Sequence, residues 1–164
     1  MPKLIPVGNE FAIVDDDDFE ELSKHHWYSG GSHGLYAIAT INGEIMYMHR
    51  LLLNAQKPLI VDHINGSTCD NRRANLRLCM QRENMANQRK QLIAKNDRVT
   101  TSKYKGVFFR KDRNRWSAYI GTGKDREWLG CFATQEAAAL AYNKAAKERW
   151  GEFSKINIIN DDVY

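Results

Sequence analysis

Cysteine is scarce in this chain: Cys69, Cys79 and Cys131 are scattered, odd in number, and form no C-x-x-C pair. That pattern indicates neither a disulfide framework nor a zinc ribbon, and each cysteine reads as a buried or inert thiol. No run of eighteen apolar residues occurs, so no membrane-spanning helix is expected. The start, Met1-Pro2-Lys3-Leu4-Ile5-Pro6, lacks the apolar stretch and cleavage site of a secretory signal. A protein of the reducing cytoplasm is therefore expected. No internal repeat or low-complexity segment is visible, and 164 residues suffice for one medium domain or two small ones.

What is present is an uneven charge. Residues 1–48 hold two basic and eight acidic side chains, a balance of −6, whereas residues 49–164 hold 22 basic and 12 acidic, a balance of +10. Within 82–126 the count is 13 basic against 4 acidic. A basic block suits a polyanion, because each neutralised phosphate releases condensed counterions. Many solvated surfaces are also basic, so charge becomes a function only when joined to a site.

Phe11-Ala12-Ile13-Val14 reads as a short strand. The run Asp15-Asp16-Asp17-Asp18 invites a metal reading. A helix start accounts for it better, with one Asp as N-cap and the rest at the positive end of the helix dipole. Leu35–Ile41 and Glu44–Met48 flank Asn42-Gly43, a strong hairpin signal because both turn residues tolerate positive φ. Residues 1–48 are thus expected to form a small mixed or mostly β unit without chemistry of its own, and His25, His26 and His33 receive no role. A short helix should follow from Met48, stopped before Pro58. Then come a brief strand at Leu59-Ile60-Val61, a polar loop through Asn65-Gly66 and Asp70-Asn71-Arg72-Arg73, and a second strand at Leu76–Cys79. Helix formers extend from Gln81 to about Gln91. Residues 92–101 read as a linker. Beyond it, Tyr104–Arg110, Arg115–Ile120 and Glu127–Phe132 predict three short antiparallel strands. A helix capped by Thr134 should follow to about Arg149, with Ala137, Ala138, Ala141 and Ala145 as a small-residue face.

The informative stretch is Val61-Asp62-His63-Ile64-Asn65-Gly66, followed by Asp70–Arg77 and Arg82-Glu83-Asn84. Phosphodiester hydrolysis needs a base for water near neutral pH and a divalent cation on the phosphate. Histidine suits the first task, and oxygen donors such as a carboxylate and an amide suit magnesium. An Asp-His pair in a strand is more often a surface pair or a satisfied histidine. The strand–loop–strand–helix order of all four elements favours a site. Asp62-His63, Asn75 and Asn84 resemble the motif of HNH homing endonucleases with a ββα-metal fold, in the variant whose final His is Asn. The resemblance covers about residues 49–91. It implies that His63 is the general base, that Asp62 and Asn84 are the ligands of Mg2+ (with Mn2+ as a substitute), and that Asn75 braces the loop and orients the imidazole. Asn71 is a further pin for that loop. Arg72, Arg73 and Arg82 are candidates for phosphate contacts. His49, which also fits the family pattern, is read as structural.

Residues 102–157 resemble an AP2 domain through Ser102-Lys103-Tyr104-Lys105-Gly106-Val107, Trp116–Ile120, Trp128-Leu129-Gly130, Phe132, the helix Glu136–Tyr142 and Asn157. The resemblance implies a three-stranded sheet laid in the major groove of double-stranded DNA, whose width of roughly 12 Å admits such a ribbon. Lys105, Arg110, Arg113, Arg115 and Arg126 are placed for phosphate or guanine contacts. Trp128 is placed to stack on a sugar or thymine methyl, and Trp116 is expected in the core. Phe108 stands where the family usually carries arginine, so sequence preference cannot be carried over.

Together these readings give an α+β chain: a mostly β unit over 1–48, a ββα-metal nuclease core over 49–91, a linker over 92–101, and an AP2-like sheet and helix over 102–160. The function expected is a divalent-metal-dependent, homing-type DNA endonuclease, acting as a monomer or weak dimer that nicks one strand, in the cytoplasm on nucleoid or phage DNA. Two other classes compete: a DNA-binding regulator with a silent HNH fold, and an RNA-directed protein. The second is disfavoured by the lack of an RNP-like aromatic motif.

Overall fold

Two short strands with alternating burial open the chain, β1 (Lys3–Val7) and β2 (Glu10–Val14), paired antiparallel with Ile5 opposite Ala12. The aspartate run begins helix α1 (Asp16–Ser23), as the dipole argument requires. Asp15 occupies the N-cap backbone position, but its side chain makes no cap. Its Oδ2 instead accepts the backbone N–H of Arg73 at 2.8 Å, and the Asp18 carboxylate accepts the Arg73 guanidinium at 2.9 and 2.7 Å. The acidic run therefore starts a helix and anchors a distant loop.

In this computed structural model, which describes residues 1–31, 36–88 and 101–159, the chain divides into two units, Met1–Asn84 and Met85–Tyr164. In the first, β3 (Tyr28–Gly30), β4 (Tyr36–Ile41) and β5 (Glu44–Tyr47) form an antiparallel sheet in that order. Asn42 at φ 52° and Gly43 at φ 82° make the β4–β5 turn, the left-handed pair that matches strand twist. Helix α2 (Met48–Leu52) leads to the antiparallel pair β6 (Ile60–His63) and β7 (Leu76–Cys79), and then to α3 (Gln81–Asn87). Of the helix expected to about Gln91 and the linker expected over 92–101, residues 89–100 lie outside the described residues.

One core holds this unit. Ile5, Val14, Trp27, Ala39 and Met48 pack in the same cluster as Val61 and Leu76. Each large side chain buried there contributes roughly 1.5–3 kcal/mol, and Trp27 satisfies its ring N–H on Leu22 O at 2.7 Å. Residues 1–48 thus have no separate core. They form the wall against which β6 and β7 are laid.

The second unit is a sheet of order β10-β9-β8, from β8 (Val107–Arg110), β9 (Arg115–Ile120) and β10 (Glu127–Phe132), with α4 (Gln135–Trp150) on one face. Thr134 Oγ1 caps α4 by accepting Ala137 N–H at 3.1 Å. The fully buried stripe is Ala138, Ala139, Tyr142 and Ala146, one position round from the expected alanine face. Tyr142 is the reason: its ring needs the buried side, over Gly106, where an added Cβ would lie 2.2 Å from it. Among the described residues no helix is long and apolar enough to cross a membrane.

Candidate nuclease site and nucleic-acid interface

Strand β6 carries Asp62 and His63 into the interior of the first unit, where they are 4 % and 5 % exposed. Successive side chains leave a strand on opposite sides. His63 packs its ring against His49 of α2, with centroids 5.1 Å apart and planes 77° apart, and against Tyr36 of β4 at 6.1 Å. Burial pulls the pKa of both imidazoles below the ordinary value, that of His49 to about 3. The Asn71 side chain opposes this shift at His63, since its carboxamide favours the charged ring. Asn71 is 1 % exposed, and its Oδ1 has no hydrogen-bond partner of normal geometry among the described residues.

The loop between β6 and β7 is closed by Asn75. Its Oδ1 accepts Asn65 N–H at 3.0 Å, its Nδ2 donates to Asp70 O at 2.8 Å, and its carbonyl accepts Ile64 N–H at 2.9 Å. Asp70 adds a second brace by accepting Asn65 Nδ2 at 2.9 Å. Asn75 thus holds the loop through the backbone, and Asn71 adds a further tie by donating its Nδ2 to Thr68 O at 3.3 Å.

Asp62 stands opposite Arg77 in the β6–β7 register. Arg77 Nε and Nη2 both donate to Asp62 Oδ2, at 2.9 and 2.7 Å. Cys79 is buried at the end of β7. Its thiol is pushed up to about 11, by burial first and by the Asp62 charge second, while the backbone N–H of Asn84 acts on it in the opposite direction. A thiol held protonated is a poor metal ligand, which leaves the carboxylate and the half-buried Asn84 amide as hard oxygen donors. Among the described residues no group of three or more His, Cys, Asp or Glu could hold an ion. The donor set suits a cation that takes its other ligands from phosphate and water, as magnesium does.

The arginines expected at phosphates are placed unequally. Arg82 is exposed on α3. Arg73 is committed to Asp18 and Leu52 O, and the Arg72 guanidinium makes two bonds to Asp70, at 2.8 and 2.6 Å, that hold that carboxyl below its ordinary range. In the second unit the strand register decides. Val107 pairs with Ala118 and Phe109 with Trp116, and these side chains pack toward α4. The alternate residues Phe108, Arg110, Arg115, Tyr119 and Trp128 therefore face the other way. Trp128 is 57 % exposed. Arg126 lies over this face with its guanidinium 4.0 Å from the Tyr119 ring and 5.4 Å from the Phe108 ring. Arg110 is held by Asp112 at 2.9 and 2.8 Å, an exposed pair that a phosphate can replace. Arg113 lies exposed in the β8–β9 turn.

Lys105 is a correction. Its ammonium does not belong to that face: it donates to the carbonyls of Ala86 and Gln88, both at 2.7 Å, at the C-terminal end of α3. The unsatisfied carbonyls and negative dipole of a helix end attract a cation.

The HNH endonuclease family model matches residues 47–86. An uncharacterized HNH endonuclease of Acanthamoeba polyphaga mimivirus is 31 % identical over 156 residues, which cover 92 % of this chain and 76 % of that protein. The chain belongs to the HNH endonucleases. It also carries an AP2 domain, matched over residues 102–152. There it is 38 % identical over 71 residues to the ethylene-responsive transcription factor LEP of Arabidopsis thaliana, spanning 42 % of this chain and 33 % of the plant protein. An AP2-like ethylene-responsive transcription factor of the same plant is 48 % identical over 52 residues, 30 % of this chain and 15 % of the other. No solved structure matches the chain.

In this HNH endonuclease, two neighbours of the site make contacts that the sequence does not show. Nothing near Arg77 in the chain gives it a function, yet pairing the two strands with His63 opposite Leu76 puts it against Asp62. His49 reads as structural, and no local pattern announces that its ring meets that of His63.

Proposed function

We propose that this HNH endonuclease hydrolyses DNA with a divalent metal ion, as a homing-type enzyme that nicks one strand and is brought to its site by its AP2 sheet. The observation that supports this best is the buried imidazole of His63 beside the buried carboxylate of Asp62, at the end of a strand whose following loop is tied by Asn75. Burial favours the neutral imidazole, the form that accepts a proton from water. The Asn71 side chain acts against that burial, and so favours the cation that forms once the proton is taken. Asp62 and Asn84 are the residues that would hold magnesium, or manganese in its place. When bound, the ion supplies positive charge at the scissile phosphate and leaving oxygen. One such centre per chain acts on one strand, so a monomer or weak dimer nicks.

The outer face of β8, β9 and β10 supplies the DNA contacts. Arg110, Arg113, Arg115 and Arg126 meet phosphates or guanine edges, and Trp128 a sugar or thymine methyl. Arg82 is the exposed candidate near the cut. A supercoiled-plasmid assay tests the reading: with magnesium or manganese the wild-type protein converts supercoiled DNA to open circles, and His63→Ala loses at least about a hundredfold in rate, as removal of a general base does.

A second reading, a DNA-binding regulator with a silent nuclease fold, has one observation in its favour: the Asp62 carboxylate is already engaged by Arg77. Tight DNA binding by the purified protein with no plasmid relaxation under either metal would select it.

A further inference from the structure

Arg77 occupies an unusual position for a cation. It lies opposite Asp62 in the β6–β7 ladder, and the two side chains are only 12 % and 5 % exposed. Two of its hydrogen bonds to the carboxylate, at 2.9 Å from Nε and 2.7 Å from Nη2, end on the same oxygen, Oδ2. Two donors fixed on one oxygen restrict rotation of the carboxyl group about its bond to Cβ. They also place a permanent positive charge beside the group that would receive a divalent cation.

We propose that Arg77 is a positioning residue that sets the metal affinity of the site by sharing the Asp62 carboxylate with the ion. This rests on the reading of Asp62 as a metal ligand. Without the ion, the guanidinium is the counter-charge that holds the buried carboxylate aimed. With the ion, two cations face one carboxylate, and their mutual repulsion weakens binding. Affinity for metal and attachment of Arg77 are therefore coupled, and the coupling is reciprocal. Such a site stays folded and aimed when empty and releases its ion readily.

Manganese binding to the full-length protein tests this without recourse to cleavage, by calorimetry and by the electron paramagnetic resonance of free Mn2+. Wild type, Arg77→Met, Arg77→Gln and Asp62→Asn are compared, with melting temperature recorded with and without Mn2+. Met removes the charge, while Gln removes it but keeps an amide donor for Asp62. Both variants are expected to bind Mn2+ at least about fivefold more tightly than wild type, the lower end of ordinary coupling between sites. Each is also expected to melt lower without metal and to gain more in melting temperature when metal is added. A variant that folds only when Mn2+ is present supports the proposal equally, since the ion then replaces the guanidinium as counter-charge. Unchanged or weaker affinity in a folded Arg77 variant overturns the proposal, as does failure of both variants to fold even with Mn2+. If wild type and Asp62→Asn bind Mn2+ alike, or neither binds it, the metal-ligand reading of Asp62 fails first.

Discussion

Burying an imidazole strips it of water, and His49, 7 % exposed and edge-on to His63, is held neutral with its pKa pulled down to about 3. In the unfolded chain the same group titrates near 6.5. Below that pH the unfolded chain takes up a proton that the folded chain refuses. The stability is therefore present in full above about 6.5 and is lost as pH falls from there toward 3. Between pH 7 and pH 5 the loss from His49 amounts to roughly 2 kcal/mol, and burial of His63 acts in the same direction. Urea unfolding at the two pH values checks this: His49→Gln should lose about 2 kcal/mol less than wild type across the interval. Equal losses in both proteins would remove His49 as the source. Asp62, His63, Asn75 and Asn84 were proposed from the sequence, because spacing and residue type carry the motif they resemble. The neighbours that set their properties, His49, Asn71 and Arg77, act through burial and register, which only the folded chain defines.

At the scale of elements, local chemistry explains most of what formed. The Asn42-Gly43 turn, the aspartate-rich start of α1 and the Thr134 cap of α4 each follow from a backbone or side-chain preference that acts within a few residues. The features that local preference misplaces depend on neighbours remote in sequence. The buried face of α4 is turned by Tyr142, whose ring lies over Gly106. Lys105 is drawn to carbonyls at the end of α3, some seventeen to twenty residues away in the chain. Gly106 gives the sharpest test at this level. It sits at φ +75°, and a Cβ there would lie 2.2 Å from the Tyr142 ring and 2.5 Å from Tyr119 O. Gly106→Ala combines a disfavoured backbone with overpacking, and should destabilise the AP2 domain by about 3 kcal/mol or more. A thermal melt followed by near-ultraviolet dichroism reads this out. An unchanged transition would mean that the Gly106 backbone adapts freely.

Across the whole molecule, charge separates two tasks. Residues 1–84 hold eight basic and eleven acidic side chains, a balance of −3, and residues 85–164 hold sixteen and nine, a balance of +7. The unit with the nuclease site is thus poorly suited to hold DNA by itself, and the AP2 unit must supply most of the counterion release. Asp62→Ala should abolish the proposed DNA cleavage while leaving DNA affinity within about twofold, because no phosphate contact is removed. Arg126→Ala should leave the nuclease site intact, weaken binding, and lower the slope of log affinity against log salt by about one if its contact is to phosphate. Filter binding at several salt concentrations separates the two. Loss of affinity in a folded Asp62→Ala protein would contradict this division.

By itself the sequence determined which residue types are present, the order of elements that carry them, and the basic balance of the C-terminal part. These are written locally, in periodicity, turn residues and motif spacing. Only the tertiary structure decided that residues 1–48 share one core with β6 and β7, that Arg73 anchors a loop to α1, and that Arg77 holds Asp62. The physical reason is common to all three: burial and long-range pairing depend on which distant segments become neighbours, and no local window of the chain contains that information.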